Sequence, residues 1–506
     1  MKNSIVKAFI NVSFWTFVSR VFGFLRDVLL AASIGAGPIS DAFFVAFKLP
    51  NMFRRLTAEG ALVQSFLPTF TFIEEQKSKE TSQELASNIQ SVLLIFLLIL
   101  LVLAEIFMGY IIMGLAPGFL DDPKKYETTI QFSRITIVYL PIISIIALWG
   151  SILQSTGRFM PLAASPIILN VSLISASVFI ISDYLSYFAL AISVPIAGIL
   201  QMAFIAIWLV KDKRVPKLKP PKRNINFHGV WKKFIPASFG AGLLQINLLV
   251  DTILASIVGA SSVSYLYYAD RLSQLPLGVI GIALGTALLP NLSKAEANNN
   301  INFVKEQLEK SLIFGAIFSI PSCVAFLILP GFLIEAVYAR GEFDEKDVFG
   351  VALALSAYGI GVPAFIGIKI LQSSFYAMRD TVTPFRISIF SVILNITLSI
   401  LLMKKLGFYG IALATSISSY VTFFCLFFLL LNKNRLSLSI IRPILLLLFL
   451  GLIFGLLLFQ LSLMFDSMNL LLSLLIIILV SVIVWFGLMI LFGFFRITSI
   501  IKYNRN

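Results

Sequence analysis

SRVFGFLRDVLLAASIGAGPISDAFFVAFKLPNMFRRLTAEG, residues 19–60, sets Arg20, Arg26, Lys48, Arg54 and Arg55 into two otherwise apolar helices joined by the turn GAGP at 35–38. An ionised side chain at bilayer depth costs about 2.5–3.5 kcal/mol, so several on one hairpin call for a water-filled cavity or for counter-ions. Counted outward from the turn, Arg26 and Lys48 lie at matching depths. Arg20 and Arg54 match again about 9 Å deeper, at roughly 1.5 Å per residue. Two basic layers are expected to face each other across the hairpin. Asp27, Asp41 and Glu59 offer structural ion pairs as the plainer account, but the bases outnumber them and positive charge is left over. That surplus suits an anion, and the planar fork of Arg matches phosphate oxygens. Pro50 removes a backbone hydrogen bond in mid-helix, which is tolerated where a helix lines a cavity.

The whole chain of 506 residues is 58% hydrophobic and 13% charged, a balance that a water-soluble chain could not bury. The expected fold is an all-α polytopic membrane protein of about fourteen transmembrane helices. The first six spans fall near 8–34, 39–72, 88–116, 129–155, 161–181 and 186–210. Eight more fall near 232–259, 264–291, 310–336, 348–374, 384–403, 408–431, 441–465 and 469–495.

A net charge of +14 would suit nucleic acid, but the excess sits in alternate loops, as topology requires. The longest, 211–233, carries nine basic residues and one acidic, and the positive-inside rule makes it cytoplasmic. Loops 75–87, 292–310, 376–386 and 432–442 then share its side, with Lys2, Lys7, Arg496, Lys502 and Arg505, so both termini are expected in the cytoplasm. The outer loops hold Asp121, Asp122, Glu342, Asp344, Glu345 and Asp347 with a few lysines. Arg20 interrupts the first apolar run and no small-residue cleavage site follows, so it reads as an uncleaved helix. Cys323 and Cys425 lie inside spans and read as free packing residues.

The chain repeats itself. DVLLAASIGA at 27–36 aligns with DTILASIVGA at 251–260, LQS at 153–155 with 371–373, and ILNVSL at 168–173 with ILNITL at 393–398. Lys48 aligns with Arg271 and Pro68 with Pro290, at an offset that stays between 218 and 225 residues. An even number of spans per copy gives two parallel-repeat six-helix lobes, with a cavity expected at the midplane between them. The expected division is 1–210 for the first lobe, 211–231 for a basic cytoplasmic linker, 232–435 for the second lobe, and 436–506 for two extra C-terminal helices and a tail. Pro216, Pro220 and Pro221 disfavour helix in the linker, and Trp231, Lys232 and Lys233 read as an interfacial re-entry whose lysines serve topology or bind anionic headgroups.

In the second lobe Asp270 and Arg271 enter the membrane. Arg271 either closes the cavity from the far side or pairs with Asp251. Asp251, Asn395 and Thr415 together would offer oxygen ligands and one charge to a monovalent cation, while Asn and Thr are also ordinary interhelical glue. Catalytic equipment is missing: His228 is the one histidine, in the linker, and there is no Cys/His metal spacing, phosphate loop or nucleotide-binding glycine fingerprint. The loop ARGEFDEKD at 339–347 reads as a solvated turn.

SRVFGFLRD, SDAFFVAFKLPNMFRRLTAEGA, and YYADRL with LGTALLPNLS closely resemble the MurJ (MviN) family of lipid II flippases, across the whole chain. The resemblance implies the fold of the multidrug/oligosaccharidyl-lipid/polysaccharide exporter superfamily, a bacterial inner-membrane location and a transporter without enzyme activity or cofactor. It implies lipid II, the undecaprenyl-diphosphate-linked peptidoglycan precursor, as cargo carried outward by alternating access, with cell-wall synthases or polymerases as candidate partners. It places substrate-binding positions on Arg20, Arg26, Arg54 and Arg271, with Asp41 as a functional acid, and Lys48 joins them from the depth count. It reads the last two spans as a groove for the polyprenyl tail. Ser399 stands where relatives carry a second acid beside the amide, which leaves coupling to Na+, H+ or the membrane potential open. The competing expectations are an exporter of another polyprenyl-linked glycan or of a drug, and an enzyme acting on polyprenyl-linked sugars.

Overall fold

The computed structural model describes residues 2–57, 61–220, 245–464 and 470–494. Glu59, Pro221, His228, Trp231, Lys232, Lys233, Asp466, Arg496, Lys502 and Arg505 lie outside the described residues, as do the side chains of Lys2 and Lys7. Regular structure is helical throughout the described residues, and nine of these helices are long and apolar enough to cross a membrane.

The chain divides into two compact units. The first holds Met1–Ser264 and Arg340–Asp344. Its helices are α1 (Lys2–Ile34), α2 (Pro38–Thr57), α3 (Ala61–Gln76), α4 (Lys79–Ile106), α5 (Met108–Leu115), α6 (Pro123–Ile137), α7 (Tyr139–Ser155), α8 (Met160–Ile181), α9 (Phe188–Lys211) and α10 (Gln245–Val258). The second unit, from Tyr265, holds most of α11 (Ser262–Pro276), then α12 (Ile282–Ala297), α13 (Ile301–Ile328), α14 (Pro330–Tyr338), α15 (Glu345–Ala377), α16 (Val382–Asn432), α17 (Ile441–Met464) and α18 (Leu470–Leu491).

Local chemistry explains where helices depart from the expected spans. The run at 88–116 is interrupted at Phe107, whose N–H still reaches Leu103 O, and restarts as α5. The span at 129–155 begins earlier because Asp122 caps α6, its Oδ1 accepting from Lys125 N at 3.1 Å, with Pro123 at the first helical position. The expected division between 384–403 and 408–431 occurs as a break between two helical segments of α16 at Gly407, whose φ of 60° lies in the left-handed region that glycine accepts. The expected span 264–291 is divided by a π turn at Leu277–Gly281. The 339–347 loop is less solvated than its composition implies. Phe343 is buried, and the Glu342 N–H donates to Ala32 O at 3.0 Å. A side chain at Gly341 would meet that same oxygen at 2.2 Å.

The duplication is visible in the helix boundaries. Lys79–Ile106, Met108–Leu115 and Pro123–Ser155 recur as Ile301–Ile328, Pro330–Tyr338 and Glu345–Ala377, each beginning 222 residues on. Ser78 caps α4 through Thr81 N, and Asn300 caps α13 through Phe303 N. Each unit also fastens its end in the same way. After α9 the chain turns through Lys213 (φ 52°), and Arg214 grips Glu74 with two bonds of 2.5 and 2.9 Å. After α16 it turns through Asn434 (φ 55°), and Arg435 grips Glu296 at 2.6 and 2.7 Å. Two or three residues later a backbone N–H is taken up by the α4 or α13 position that the repeat pairs: Lys217 N by Ser87 Oγ at 3.0 Å, and Ser437 N by Glu309 Oε1 at 2.8 Å. In the first unit, the extended 213–220 segment runs on along α4, with Lys213 O accepting from Gln83 and Lys219 N donating to Ser91.

α17 packs on α13 through Leu447, Leu450, Phe454 and Leu458, and Gly451 permits the approach, since a Cβ there would lie 2.7 Å from Ile320. From α18, Trp485 donates to Ile317 O at 2.8 Å.

The half-buried clasps are bidentate, so they are worth more than an ordinary surface pair. Glu296→Ala should lower the stability of the purified chain by about 1–3 kcal/mol, seen as a lower melting temperature in detergent. The exchange Glu296→Arg with Arg435→Glu should restore part of it; an unchanged melt in Glu296→Ala would mean that the clasp does not stabilise the unit.

Candidate functional site

α1 packs along α8, and α2 packs along α6 and α7, but α1 and α2 do not pack along each other beyond their turn. The turn itself is tight. Gly35 has φ 60°, Pro38 opens α2, and Ser40 Oγ accepts from Gly37 N at 2.8 Å. The two helices that carry the basic layers are therefore separate walls within the first unit, each braced from behind. Both are continuous at the relevant depth, since α2 runs through Pro50, so the spacing of the layers along each wall holds.

Each expected residue has a definite setting. Arg26 donates through Nε and Nη2 to Asp27 Oδ1 at 3.0 and 2.7 Å, and through Nη1 to Asn170 Oδ1 at 3.0 Å. Asn170 in turn donates to Ser19 O at 3.1 Å, so an α8 amide fixes the α1 arginine from two sides. The counter-ion that the plainer account required is present at this position, with side chains only 11% and 5% exposed. Arg20 is exposed on α1, and Lys48 is half-buried on α2. Arg54, also half-buried, donates to Asn51 Oδ1 at 3.1 Å.

In the second unit Arg271 lies with its guanidinium 4.8 Å from the Tyr267 ring centre and donates to that residue's hydroxyl at 3.3 Å. Stacking on an aromatic face holds a cation in place. Asn395 and Thr415 are brought together, Nδ2 to Oγ1 at 3.0 Å, with Ser418 also in reach at 3.4 Å. Ser399, one turn on from Asn395, is buried. Asp251 belongs to the first unit, where it accepts from Asn247 at 3.4 Å. No group of three or more His, Cys, Asp or Glu suited to a metal ion occurs among the described residues. Cys323 and Cys425 are free thiols.

Asp41 is the most completely engaged carboxylate of the set. It is fully buried and accepts from Lys125 Nζ at 2.5 Å, Ser261 N at 2.9 Å, Ser264 N at 2.8 Å and the Ser264 hydroxyl. The two backbone donors sit at the start of α11, where a helix leaves N–H groups unsatisfied and favours negative charge. Lys125 is itself buried, with its ammonium 3.9 Å from the centre of the Phe119 ring. Asp41 thus ties three pieces of chain together: the head of α2, the head of α6 and the first turn of α11.

Two contributors escaped the sequence reading. Lys125 lies in a polar segment beside Lys124, and nothing local singles it out from that neighbour. Asn170 was visible only as a marker of the repeat.

The family model described as "Lipid II flippase MurJ" matches residues 30–497. A protein of Rickettsia prowazekii described as a probable lipid II flippase MurJ is 37% identical over 417 residues, covering 81% of each chain. The lipid II flippase MurJ of Burkholderia cenocepacia is 33% identical over 429 residues, covering 84% of this chain and 83% of its own. A solved structure of lipid II flippase MurJ in an inward closed conformation superposes with a TM-score of 0.82 at 28% identity, covering 96% of this chain and 98% of its own. An inward-facing multidrug transporter of the MOP superfamily shares the fold at a TM-score of 0.66 and 16% identity, over 86% of this chain and 99% of its own. Apolar spans and bacterial relatives together make this a multi-pass protein of the bacterial inner membrane, and a transporter in place of an enzyme. The chain belongs to the lipid II flippase MurJ family.

Proposed function

We propose that this protein moves lipid II from the cytoplasmic to the outer leaflet by alternating access. The observation that carries the reading is the pair of separately braced helices, α1 and α2, whose bases outnumber the acids of the same stretch. Arg20, Arg26, Lys48 and Arg54, with Arg271, take the diphosphate, since Arg forks match phosphate oxygens and two phosphates offset several cations. Asn170 and Asp27 hold Arg26 in a fixed orientation, so little side-chain freedom is lost on binding. Asp41 acts by position, holding the start of α11 in one of the two states of the cycle.

Basic charge inside the membrane field gives the potential a handle of about 2.3 kcal/mol per charge per 100 mV. Return of the empty, positive carrier toward the negative cytoplasm is the step that it favours. Asn395 and Thr415 are candidate ligands for a monovalent coupling ion. In this reading both termini and the 211–231 linker face the cytoplasm, 1–210 and 232–435 act as the two lobes, and 436–506 supplies the groove for the polyprenyl tail. Cell-wall synthases or polymerases are the expected consumers of the cargo.

Headgroup exposure at the outer leaflet, in cells whose only flippase is this protein, should fall about tenfold or more in Arg26→Ala and Arg271→Ala at equal membrane abundance. Normal exposure in both variants would make these arginines structural. In proteoliposomes, flipping should respond to an imposed potential; indifference would remove it as a driving force. Lys125→Met should strand the Asp41 carboxylate and cost about 3–5 kcal/mol of stability, whereas Lys125→Met with Asp41→Asn should cost clearly less. Equal losses in the single and double variants would show that the two side chains are not coupled.

A further inference from the structure

One charged pair of the first unit stands apart from the basic walls. Arg134 on α6 faces Glu105 at the end of α4, Nε to Oε2 at 3.8 Å, with the side chains 53% and 36% exposed. Its level along the unit can be read from ring contacts. Phe132 packs edge-on against Tyr187 at 6.0 Å and Phe188 at 5.2 Å, and these two residues stand at the beginning of α9. Arg134 is two residues further along α6, about 3 Å deeper. In the orientation of the proposed function, on which this inference rests, that level is the outer side, and Tyr110 and Tyr184 of the same unit are exposed, as residues of a headgroup layer are. Exposed Val102, Ile106, Phe107 and Val138 surround it with apolar surface.

The fold does not need these charges. One repeat on, the positions of Glu105 and Arg134 are held by Leu327 and Ser356 in helices with the same boundaries. The pair is also loose: at 3.8 Å it leaves guanidinium donors and a carboxylate oxygen uncommitted among the described residues. A lone anion would gain from Arg134 but would meet Glu105, with exposed Glu127 two turns outward on the same helix face. A zwitterion offers a partner to each: phosphate for the fork, and an ammonium with N–H donors for the carboxylate. We propose that Arg134 and Glu105 form an outer-leaflet site for a phospholipid whose headgroup carries both a phosphate and a primary ammonium. A quaternary choline headgroup has no N–H to give, and a glycerol headgroup has no positive charge.

The test titrates the purified full chain with phosphatidylethanolamine, phosphatidylcholine and phosphatidylglycerol of identical acyl chains, and counts bound lipid by native mass spectrometry. Phosphatidylethanolamine should bind about fivefold more tightly than either competitor, the scale of one partly exposed ion pair. Glu105→Gln should bring ethanolamine and choline lipids to parity, and Arg134→Gln should weaken all three. The double variant Glu105→Leu with Arg134→Ser, which installs the residues of the second repeat, should melt normally and lose the preference. The proposal is overturned if wild type binds choline lipid equally well, if it binds glycerol lipid most tightly, or if the double variant keeps the ethanolamine preference.

Discussion

A charge placed within a hydrocarbon layer must have either an opposite charge with hydrogen bonds or access to water, and this structure depends on how that requirement is met residue by residue. Asp41 meets it completely. Lys125, two α11 backbone donors and the Ser264 hydroxyl satisfy both oxygens, and the carboxylate is fixed in consequence. Arg26 meets it with Asp27 and Asn170 while remaining at the face of α1. Arg271 leans on the Tyr267 ring. The order runs from a fully enclosed acid to a base stacked on an aromatic face.

The two units solve the same packing problem with different polar residues. Asn170 and Asn395 occupy equivalent places in ILNVSL and ILNITL, yet Asn170 spans from α8 to α1 and orients an arginine, whereas Asn395 joins the two halves of α16 through Thr415 and Ser418. Where the backbone is to be fastened, the copies agree, as in the Arg214–Glu74 and Arg435–Glu296 grips. At the two asparagines they diverge. Duplication therefore supplies the frame, and polar side chains within it take on different partners.

Much of this was legible beforehand because it rests on local pattern. Apolar run length identifies spans, the GAGP turn fixes the depth of Arg20, Arg26, Lys48 and Arg54, and ordered matches at one offset expose the duplication. What was not legible depends on long-range geometry. No rule of spacing says that Lys125, and not Lys124, turns inward to meet a carboxylate 84 positions away. Likewise, the 339–347 loop is rich in charge, but Phe343 is buried and the Glu342 N–H is bound to the end of α1. The helix interruption at Phe107 was hidden because apolar composition continues across it.

The clasp at the end of the first unit has a consequence for how the protein is made. Every residue in it, from Glu74, Gln83, Ser87 and Ser91 to Arg214, Lys217 and Lys219, precedes residue 221. The second clasp likewise draws only on Glu296, Glu309, Arg435 and Ser437. During synthesis from the N-terminus, the first can close before any of the second unit has left the ribosome, since domains fold as units in the order in which they emerge. The covalent join between the halves then fixes their ratio and their order of appearance in the membrane, while the cohesion of each half at this end is its own.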